Sequence, residues 1–469
     1  MWFNSFAFWI FFIVVLCIHA PLPHRKRNLW LLVASYFFYG CWDWRFLGLI
    51  ALTTAFEFFS AQQISRSDTP RIRRAWVTAS LVLELGILCL FKYFNFFVRE
   101  MDRLLESFGL NGWHPAFHIL LPAGISFFTF QALSYTIDVY RGKTKPARSL
   151  FDFALYVSFF PQLVAGPIER SSHLLPQVEN PRPTVTHRHF QEGLYHVLTG
   201  LFKKIVVADN MAWLANHIFA RPPESLSAPE VLLGTYAFAF QIYGDFSGYS
   251  SIAIGVARWL GFDLMDNFRQ PYLAISPQDF WKRWHISLSS WLRDYLYIPL
   301  GGNRGSKWFT ARNLLLTMFL GGLWHGAAWT YIIWGGIHGL WLVLDRFFRR
   351  PNTPSLPAWR NALSIFITFH LVCLAWLFFR ADSASQATIM LSQLLGPWTL
   401  TPFTSTALTL IAFYAGPWIV FDLWIDRQTT ITPLLEVSRG VRSSIYLFII
   451  LAMLFFPPPV PVEFIYFRF

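Results

Sequence analysis

Long apolar runs alternate with short basic loops along the first third of this chain. The first five runs cover residues 2–20, 28–42, 44–64, 75–98 and 117–139. A helix needs about 20 mostly apolar residues to cross the hydrocarbon core of a bilayer, so we predict a transmembrane helix from each run. No basic segment precedes the first run, and we therefore expect it to be retained rather than cleaved as a secretion signal.

Basic residues recur in every second loop. The loops at 21–27, 65–74 and 140–149 hold three, four and four Lys or Arg residues, whereas the two in the loop at 99–116 are offset by three acidic residues. Short cytoplasmic loops are enriched in Lys and Arg. This alternation therefore places the three basic loops in the cytoplasm and the N-terminus on the outer side.

The remaining two thirds of the chain are less regular. Residues 151–168 are apolar but contain Pro161, Gly166 and Pro167, which indicates a broken or re-entrant helix. Further helices are predicted over 191–219, 231–260, 313–344 (one long or two short), 361–379, 404–425 and 442–456. We expect an all-α integral membrane protein with about 11 spans. No internal repeat is visible, so the inverted-repeat plan of many transporters lacks support.

We interpret the chain as one multispanning membrane domain over residues 1–469. It divides into N-terminal spans (1–110), a core (111–346) with motif helices at 277–298 and 313–344, a proline-containing polar linker (347–360) and C-terminal spans (361–469).

Composition supports a membrane protein. Hydrophobic residues make up 55% of the 469 residues and charged residues only 14%, with a net charge of +12. A soluble fold of this length cannot bury so much apolar surface, which excludes a soluble globular enzyme and a disordered chain. The four cysteines lie in apolar runs without C-x-x-C pairing, so a disulfide framework or a cysteine zinc site is not expected.

The first motif segment, residues 274–305, is aromatic and basic. Ser276 is placed to cap a helix whose first turn holds Pro277 and Asp279, and Asp279 can pair with Arg283 four residues later. The pattern predicts one continuous helix over 277–298 that lies at the membrane interface or lines a polar recess, with His285 in its third turn. Lys282 and Arg283 either contact lipid headgroups or hold a phosphate-bearing donor.

The second motif segment, residues 321–346, places His325 among apolar and small residues. An ionisable residue inside the membrane indicates function, and a neutral imidazole suits proton abstraction from a hydroxyl. Gly322 and Gly326, like Gly335 and Gly339, have the spacing of closely packed helices. His338 would lie about 220° around an unbroken helix from His325, so we assign it to packing.

Other candidates carry weaker signals. Asp245 lies in an apolar helix, where it either lines the same cavity or pairs with a buried base. The histidines at 187 and 189 are predicted to lie in a polar, solvated loop. No H-E-x-x-H, G-x-S-x-G or G-x-x-x-x-G-K-[ST] motif is present, so we predict no metal site, serine nucleophile or phosphate loop. Nucleic acid is not an expected partner.

Two sequences carry a family resemblance: DFWKRWHISLSSWLRDYLYIPLGG at 279–302 and LGGLWHGAAWTYIIWGGIHG at 320–339. Together with FPQLVAGPIER at 160–170, YGDFSGYSS at 243–251 and the terminal FIYFRF, they resemble the membrane-bound O-acyltransferase family, and most closely its bacterial alginate O-acetylation branch. The resemblance covers nearly the whole chain.

This resemblance implies a ring of helices around a thin waist where two tunnels meet at the catalytic histidine, here His325. It gives His285 an orienting or electrostatic role. Candidate residues lining the donor tunnel are Trp324, Lys282, Arg283, Trp284 and Asp245. The resemblance also implies an acetyl-CoA or other acyl-thioester co-substrate, no tightly bound cofactor, a polysaccharide acceptor reached through periplasmic partner acetyltransferases, and a bacterial inner-membrane location.

Three alternatives stay open. A D-alanyl transferase acting on teichoic acid would use a carrier-protein thioester and shares the WHG region. A transporter or lipid flippase could use Glu84, Asp245 and His325 along a permeation path. A haem protein could use His325 and His338 as ligands, although the expected 220° offset opposes a shared haem face.

Overall fold

The computed structural model describes residues 1–110, 119–348, 357–459 and 462–465, and in these residues the chain forms helices and turns without a strand. The expectation of an all-α protein is therefore confirmed. The first eleven helices are α1 (Phe6–His19), α2 (His24–Asp43), α3 (Leu47–Arg66), α4 (Pro70–Leu88), α5 (Phe94–Ser107), α6 (Ile125–Tyr140), α7 (Leu150–Ser158), α8 (Phe160–Leu163), α9 (Ser171–Glu179), α10 (His187–Phe202) and α11 (Asp209–Phe219).

The remaining helices are α12 (Ala228–Trp259), α13 (Pro277–Arg283), α14 (Ile286–Leu292), α15 (Lys307–His325), α16 (Trp329–Phe348), α17 (Ala358–Arg380), α18 (Ala384–Gln393), α19 (Pro402–Tyr414), α20 (Gly416–Ile425) and α21 (Arg439–Phe455). Short 3-10 turns lie at Trp44–Phe46, Pro223–Ser225, Pro271–Leu273 and Pro433–Leu435, and π-helical segments at Cys89–Tyr93, Lys203–Ala208 and Arg293–Tyr297. The predicted linker at 347–360 lies mostly outside the described residues. Its first two residues end α16 and its last three begin α17.

Two helices in the described residues are both long enough and apolar enough to cross a bilayer. They are the continuous run Pro70–Ser107, which joins α4 and α5, and Ala358–Arg380. The pair α19 and α20, bent by 40° at Ala415, adds a third if it crosses as one span. The number of about 11 spans and the ring of helices stay predictions.

Two compact units can be distinguished by their internal packing. The first comprises residues 1–193 with 256–265, and the second comprises 194–255 with 266–469. In the first unit, the apolar segment predicted to be broken is indeed interrupted: α7 ends at Ser158, and α8 begins at Phe160 with Pro161 in its first turn. The histidines at 187 and 189 belong to the first turn of α10 rather than to a loop.

Helices α15 and α16 form a close antiparallel hairpin in the second unit. Residues 313–344 are therefore two helices, one of the two predicted forms. A Cβ on Gly322 would lie 2.2 Å from the carbonyl oxygen of Tyr331 and 3.3 Å from the Cα of Gly335, so the two backbones touch here. The prediction of close packing at these glycines is confirmed.

The predicted continuous helix over 277–298 is wrong. Its start is as expected, because the Ser276 side chain accepts the Asp279 N–H at 3.1 Å. The helix then breaks at His285, which has a left-handed φ of +43°. The cause is tertiary: the Ile286 N–H donates to the Asn267 carbonyl at 3.0 Å, and the Arg283 carbonyl accepts the Arg269 N–H at 2.9 Å. These bonds to a distant segment replace helical ones.

Candidate active site

His325 is the last residue of α15 and is only 4% exposed. Three aromatic rings surround its imidazole: Trp324 at 5.1 Å, Trp334 at 5.0 Å and Phe379 at 5.5 Å between ring centroids. The α15–α16 turn brings Trp334 back onto the histidine, and α17 supplies Phe379. The sequence-predicted histidine therefore lies in a dry aromatic enclosure, where an electrostatic interaction is stronger than in water.

His285 faces the same enclosure. Its ring centroid lies 6.5 Å from that of His325, and Trp324 contacts both imidazoles, at 5.1 Å from His325 and 6.1 Å from His285. Phe246 of α12 packs edge-on against His285 at 4.6 Å. The structure thus brings together three of the predicted site residues, His325, His285 and Trp324.

Asn267 holds His285 and defines which of its nitrogens carries the proton. Its Oδ1 accepts the Ser287 N–H at 3.3 Å and the Ser287 hydroxyl at 2.9 Å, and it lies 3.1 Å from Nδ1 of His285. A backbone N–H can only donate, so this atom is the amide oxygen and Nδ1 of His285 must donate to it. Neutral His285 therefore has Nε2 as its acceptor nitrogen.

The other predicted residues of the first motif take three different positions. Trp284 is buried among aromatic rings, stacked on Phe280 at 5.6 Å and packed against Trp376 at 5.0 Å. Lys282 is exposed. Arg283 is half-buried and pairs with Asp279 as predicted, at 3.1 Å, and with Asp426 at 2.6 Å. Because two carboxylates neutralise Arg283, its guanidinium is engaged within the protein.

Asp245 pairs with a buried base, which was one of its two predicted roles. Lys204 lies 2.9 Å from its carboxylate and 2.7 Å from that of Asp209. The second oxygen of Asp245 accepts the Ile465 N–H at 2.7 Å. The next residue, Phe246, is the one that contacts His285, so Asp245 anchors the part of α12 that packs on the site.

His338 is buried by packing, as predicted, but the helix geometry from which we predicted this is not the one observed. It is fully buried, with Trp281 at 5.1 Å, Trp334 at 4.8 Å and Phe280 at 5.8 Å. The expected 220° separation assumed an unbroken helix, and the chain reverses between the two histidines. His325 and His338 therefore both contact the Trp334 indole.

A cavity of about 400 Å³ opens beside Asn267 in the second unit. Its polar walls include Ser250, which accepts from the Asn267 amide at 3.3 Å, and Asp422, which accepts from the Tyr243 hydroxyl at 2.7 Å. Lys203 also lines it. The cavity therefore reaches Asn267, the residue that orients His285.

Sequence reasoning missed four residues that shape this site: Asn267, Trp334, Phe379 and Lys204. Asn267 and Phe379 lie far along the chain from the histidines they contact, and no local spacing indicates those contacts. Trp334 was visible as one of many aromatic residues in α16. Among the described residues no group of three or more His, Cys, Asp or Glu side chains converges as metal ligands would.

The family model of the membrane-bound O-acyltransferases matches residues 147–381, which include both histidines and Asn267. The match spans half of the chain. The protein belongs to the membrane-bound O-acyltransferase family. It is therefore an O-acyltransferase, and its membrane location follows from the family.

Relatives within the family act on different polymers. A probable alginate O-acetylase of Azotobacter vinelandii is 43% identical over 449 residues, covering 94% of this chain and 88% of that protein. A peptidoglycan O-acetyltransferase of Helicobacter pylori is 37% identical, covering 79% and 74%. A teichoic acid D-alanyltransferase of Bacillus subtilis is 29% identical, covering 57% and 70%. The resemblance to the alginate branch is thus supported over most of the chain.

Proposed function

We propose that this O-acyltransferase moves acetyl groups from a cytoplasmic acyl thioester across the bacterial inner membrane for O-acetylation of an alginate-like envelope polysaccharide. The observation that carries the proposal is the pair of buried imidazoles, 6.5 Å apart in an aromatic enclosure. The names of the acetyl-transferring relatives support the acetyl group and the polymer class.

In the proposed reaction His325 accepts the proton of the acceptor hydroxyl as its oxygen attacks the thioester carbonyl. The new C–O bond forms, the C–S bond breaks, and the thiolate leaving group takes up a proton. His285, oriented by Asn267, positions the reacting groups or stabilises the charge that develops on them. Exclusion of water by Trp324, Trp334 and Phe379 strengthens these interactions and limits hydrolysis of the thioester.

The donor and partners belong to the same proposal. We take acetyl-CoA as the acyl-thioester donor, and the cavity beside Asn267 as its proposed route toward the histidines. Trp284 belongs to the aromatic cluster next to His285, and exposed Lys282 is the proposed contact for the phosphates of the donor. Arg283 is already paired with Asp279 and Asp426. With the N-terminus in the periplasm, the acceptor side faces periplasmic acetyltransferase partners that complete esterification of the polysaccharide.

Replacement of His325 tests the proposal directly. We expect cells that carry His325→Ala to lose O-acetyl groups from their envelope polysaccharide to the level of a deletion strain, with normal amounts of protein in the membrane. His217→Ala, at an exposed histidine of the same unit, should match the wild type. Equal O-acetyl content in the deletion and wild-type strains would exclude the polysaccharide, and persistent acetylation with His325→Ala would exclude the role of His325.

D-alanyl transfer is the second candidate, favoured by the teichoic acid relative. It predicts that the purified protein turns over a D-alanyl carrier-protein thioester and leaves acetyl-CoA unused. Thioester consumption assayed with both donors separates the two reactions. A transporter would instead move solute across vesicles without forming an ester.

A further inference from the structure

A second cavity, of about 290 Å³ and with mostly apolar walls, lies in the first unit between the segment after α9 and the end of α12. Arg182, His189, Arg258 and Asp263 line it together with several prolines. None of these residues belongs to the active site described above, which lies in the second unit.

Arg182 presents an unpaired edge of its guanidinium group. Nη1 donates to Oδ1 of Asn28 at 2.9 Å, but Nε and Nη2 are buried without a hydrogen-bond partner. No carboxylate lies within ion-pairing distance of Arg182 in the described part of the chain. Nε and Nη2 form the edge of the planar group that binds two oxygens of one carboxylate or phosphate at once.

The surroundings hold this guanidinium in place. Its central carbon lies 4.2 Å from the centroid of the Phe262 ring, so the aromatic face supports one side of the plane. Pro181 and Pro183 flank Arg182 in the sequence and restrict the backbone around it. The side chain is therefore arranged before a ligand arrives, which lowers the entropy lost on binding.

Arg258 and Asp263 in the cavity wall form an ion pair, whereas Arg182 has no carboxylate within ion-pairing distance in the described part of the chain. Asp263 is paired with Arg258 at 2.7 Å, and Glu192 lies 3.4 Å from the same arginine. Burial and the nearby Arg27 guanidinium lower the pKa of Arg182 to about 10, and the Asp152 carboxylate, which accepts from the same Asn28 that binds Arg182, opposes part of this shift. His189 accepts the Thr186 N–H at Nδ1, so its neutral ring offers Nε2–H as a further donor.

We propose that this cavity binds the phosphate group of an anionic ligand through the Nε–Nη2 edge of Arg182. A buried guanidinium edge without acceptors is costly, and an oxyanion supplies two acceptor oxygens together with a close counter-charge. The phosphate has two possible sources, the headgroup of an anionic phospholipid and a soluble phosphate compound, which share this recognition chemistry.

The test uses the purified full chain, freed of endogenous lipid in detergent. Binding is measured as the increase in unfolding temperature on addition of phosphatidylglycerol, phosphatidylcholine or inorganic phosphate at constant ionic strength. We expect phosphate-dependent stabilisation of the wild type and a loss of affinity of about tenfold or more in Arg182→Gln. Arg148→Gln, which alters an exposed arginine of the same unit, should behave as the wild type.

Comparison of the three added compounds also identifies where the bound phosphate group comes from. A response to inorganic phosphate assigns the site to a soluble compound, and a response to phosphatidylglycerol alone assigns it to a lipid headgroup. Arg182→Lys keeps the charge without the two-nitrogen edge, so it should bind about tenfold more weakly even if Arg182→Gln folds poorly. Equal responses of the wild type and Arg182→Lys, or no response to any phosphate, would overturn the proposal.

Discussion

Oδ1 of Asn267 lies 3.1 Å from Nδ1 of His285, although the two residues are 18 positions apart in the chain. His285 has a left-handed φ of +43°, a conformation that costs a non-glycine residue about 1–2 kcal/mol. The bonds from Asn267 to the 285–287 backbone and side chains hold that conformation. Asn267 is thus the residue through which the fold sets both the position and the tautomer of His285.

Loss of this acceptor should impair catalysis more than folding. Under the proposed mechanism we expect Asn267→Leu to lower kcat by about 10²-fold, since the orientation of a reacting group contributes on that scale. Asn267→Asp keeps an oxygen that accepts from His285 and Ser287, and it should retain most of the activity. The measurement is acetyl transfer by the purified enzyme, with kcat and KM determined separately. A KM effect of the same size with unchanged kcat would contradict this role.

The contact between Gly322 and Tyr331 predicts that no side chain larger than a hydrogen atom is tolerated at residue 322. A methyl group at residue 322 meets a backbone carbonyl that cannot move aside, so Gly322→Ala should cost about 2–3 kcal/mol of stability. Gly440→Ala, at a helical glycine with open space around its Cα, should be neutral or stabilise by about 0.5–1 kcal/mol. Unfolding in detergent followed by circular dichroism compares the two. Equal stability of the two variants would show that the hairpin can separate at this point.

The Lys204 ion-pair cluster predicts a large effect of losing one charge. Lys204→Met leaves the carboxylates of Asp209 and Asp245 buried without their shared cation, which should cost about 3–5 kcal/mol. Arg103→Ala breaks an exposed ion pair with Glu100 and should cost less than about 1 kcal/mol. Chemical denaturation of both variants measures the difference. A Lys204→Met loss no larger than that of the surface variant would argue against a structural role for the cluster.

His173 predicts a pH dependence of stability in the first unit. The carboxylates of Asp263, 3.8 Å away, and Glu169, hydrogen-bonded at 2.8 Å, raise the pKa of His173 to about 10, above about 6.5 in the unfolded chain. Its contribution should therefore be complete below about pH 6.5 and disappear as the pH rises through about 10. The unfolding temperatures of the wild type and His173→Gln should converge over this window. A difference that stays constant with pH would show that His173 stabilises by packing alone.

The helical class, the close glycine packing and the buried position of His325 could be predicted from local sequence patterns. Apolar runs predict helices because apolar side chains are the ones that a fold buries or places in lipid. The glycine spacing in 321–346 indicates a close contact between helices, which the structure confirms. The motif around His325 also identified the family, which the comparison with the family model confirmed. These features are encoded within a few helical turns.

The break at His285 was not accessible in this way. A capped, aromatic segment from Ser276 onward has every local feature of one continuous helix. The hydrogen bonds that interrupt it come from Asn267, whose position relative to His285 depends on how α12 and the following turn fold back. The reversal between His325 and His338 escaped local reasoning for the same reason, because two packed helices and one long helix have the same apolar pattern.

The sequence by itself determined that this is a helical membrane protein of the O-acyltransferase family with a buried histidine at residue 325. Only the tertiary structure decided that the ring centroids of His285 and His325 lie 6.5 Å apart and that Asn267 orients His285. It also decided that Asp245 forms an ion pair with Lys204. The burial of a side chain can be predicted from its residue type and from the spacing of its neighbours. Which side chains contact each other depends on which distant segments come together, and the packing of the whole unit decides that.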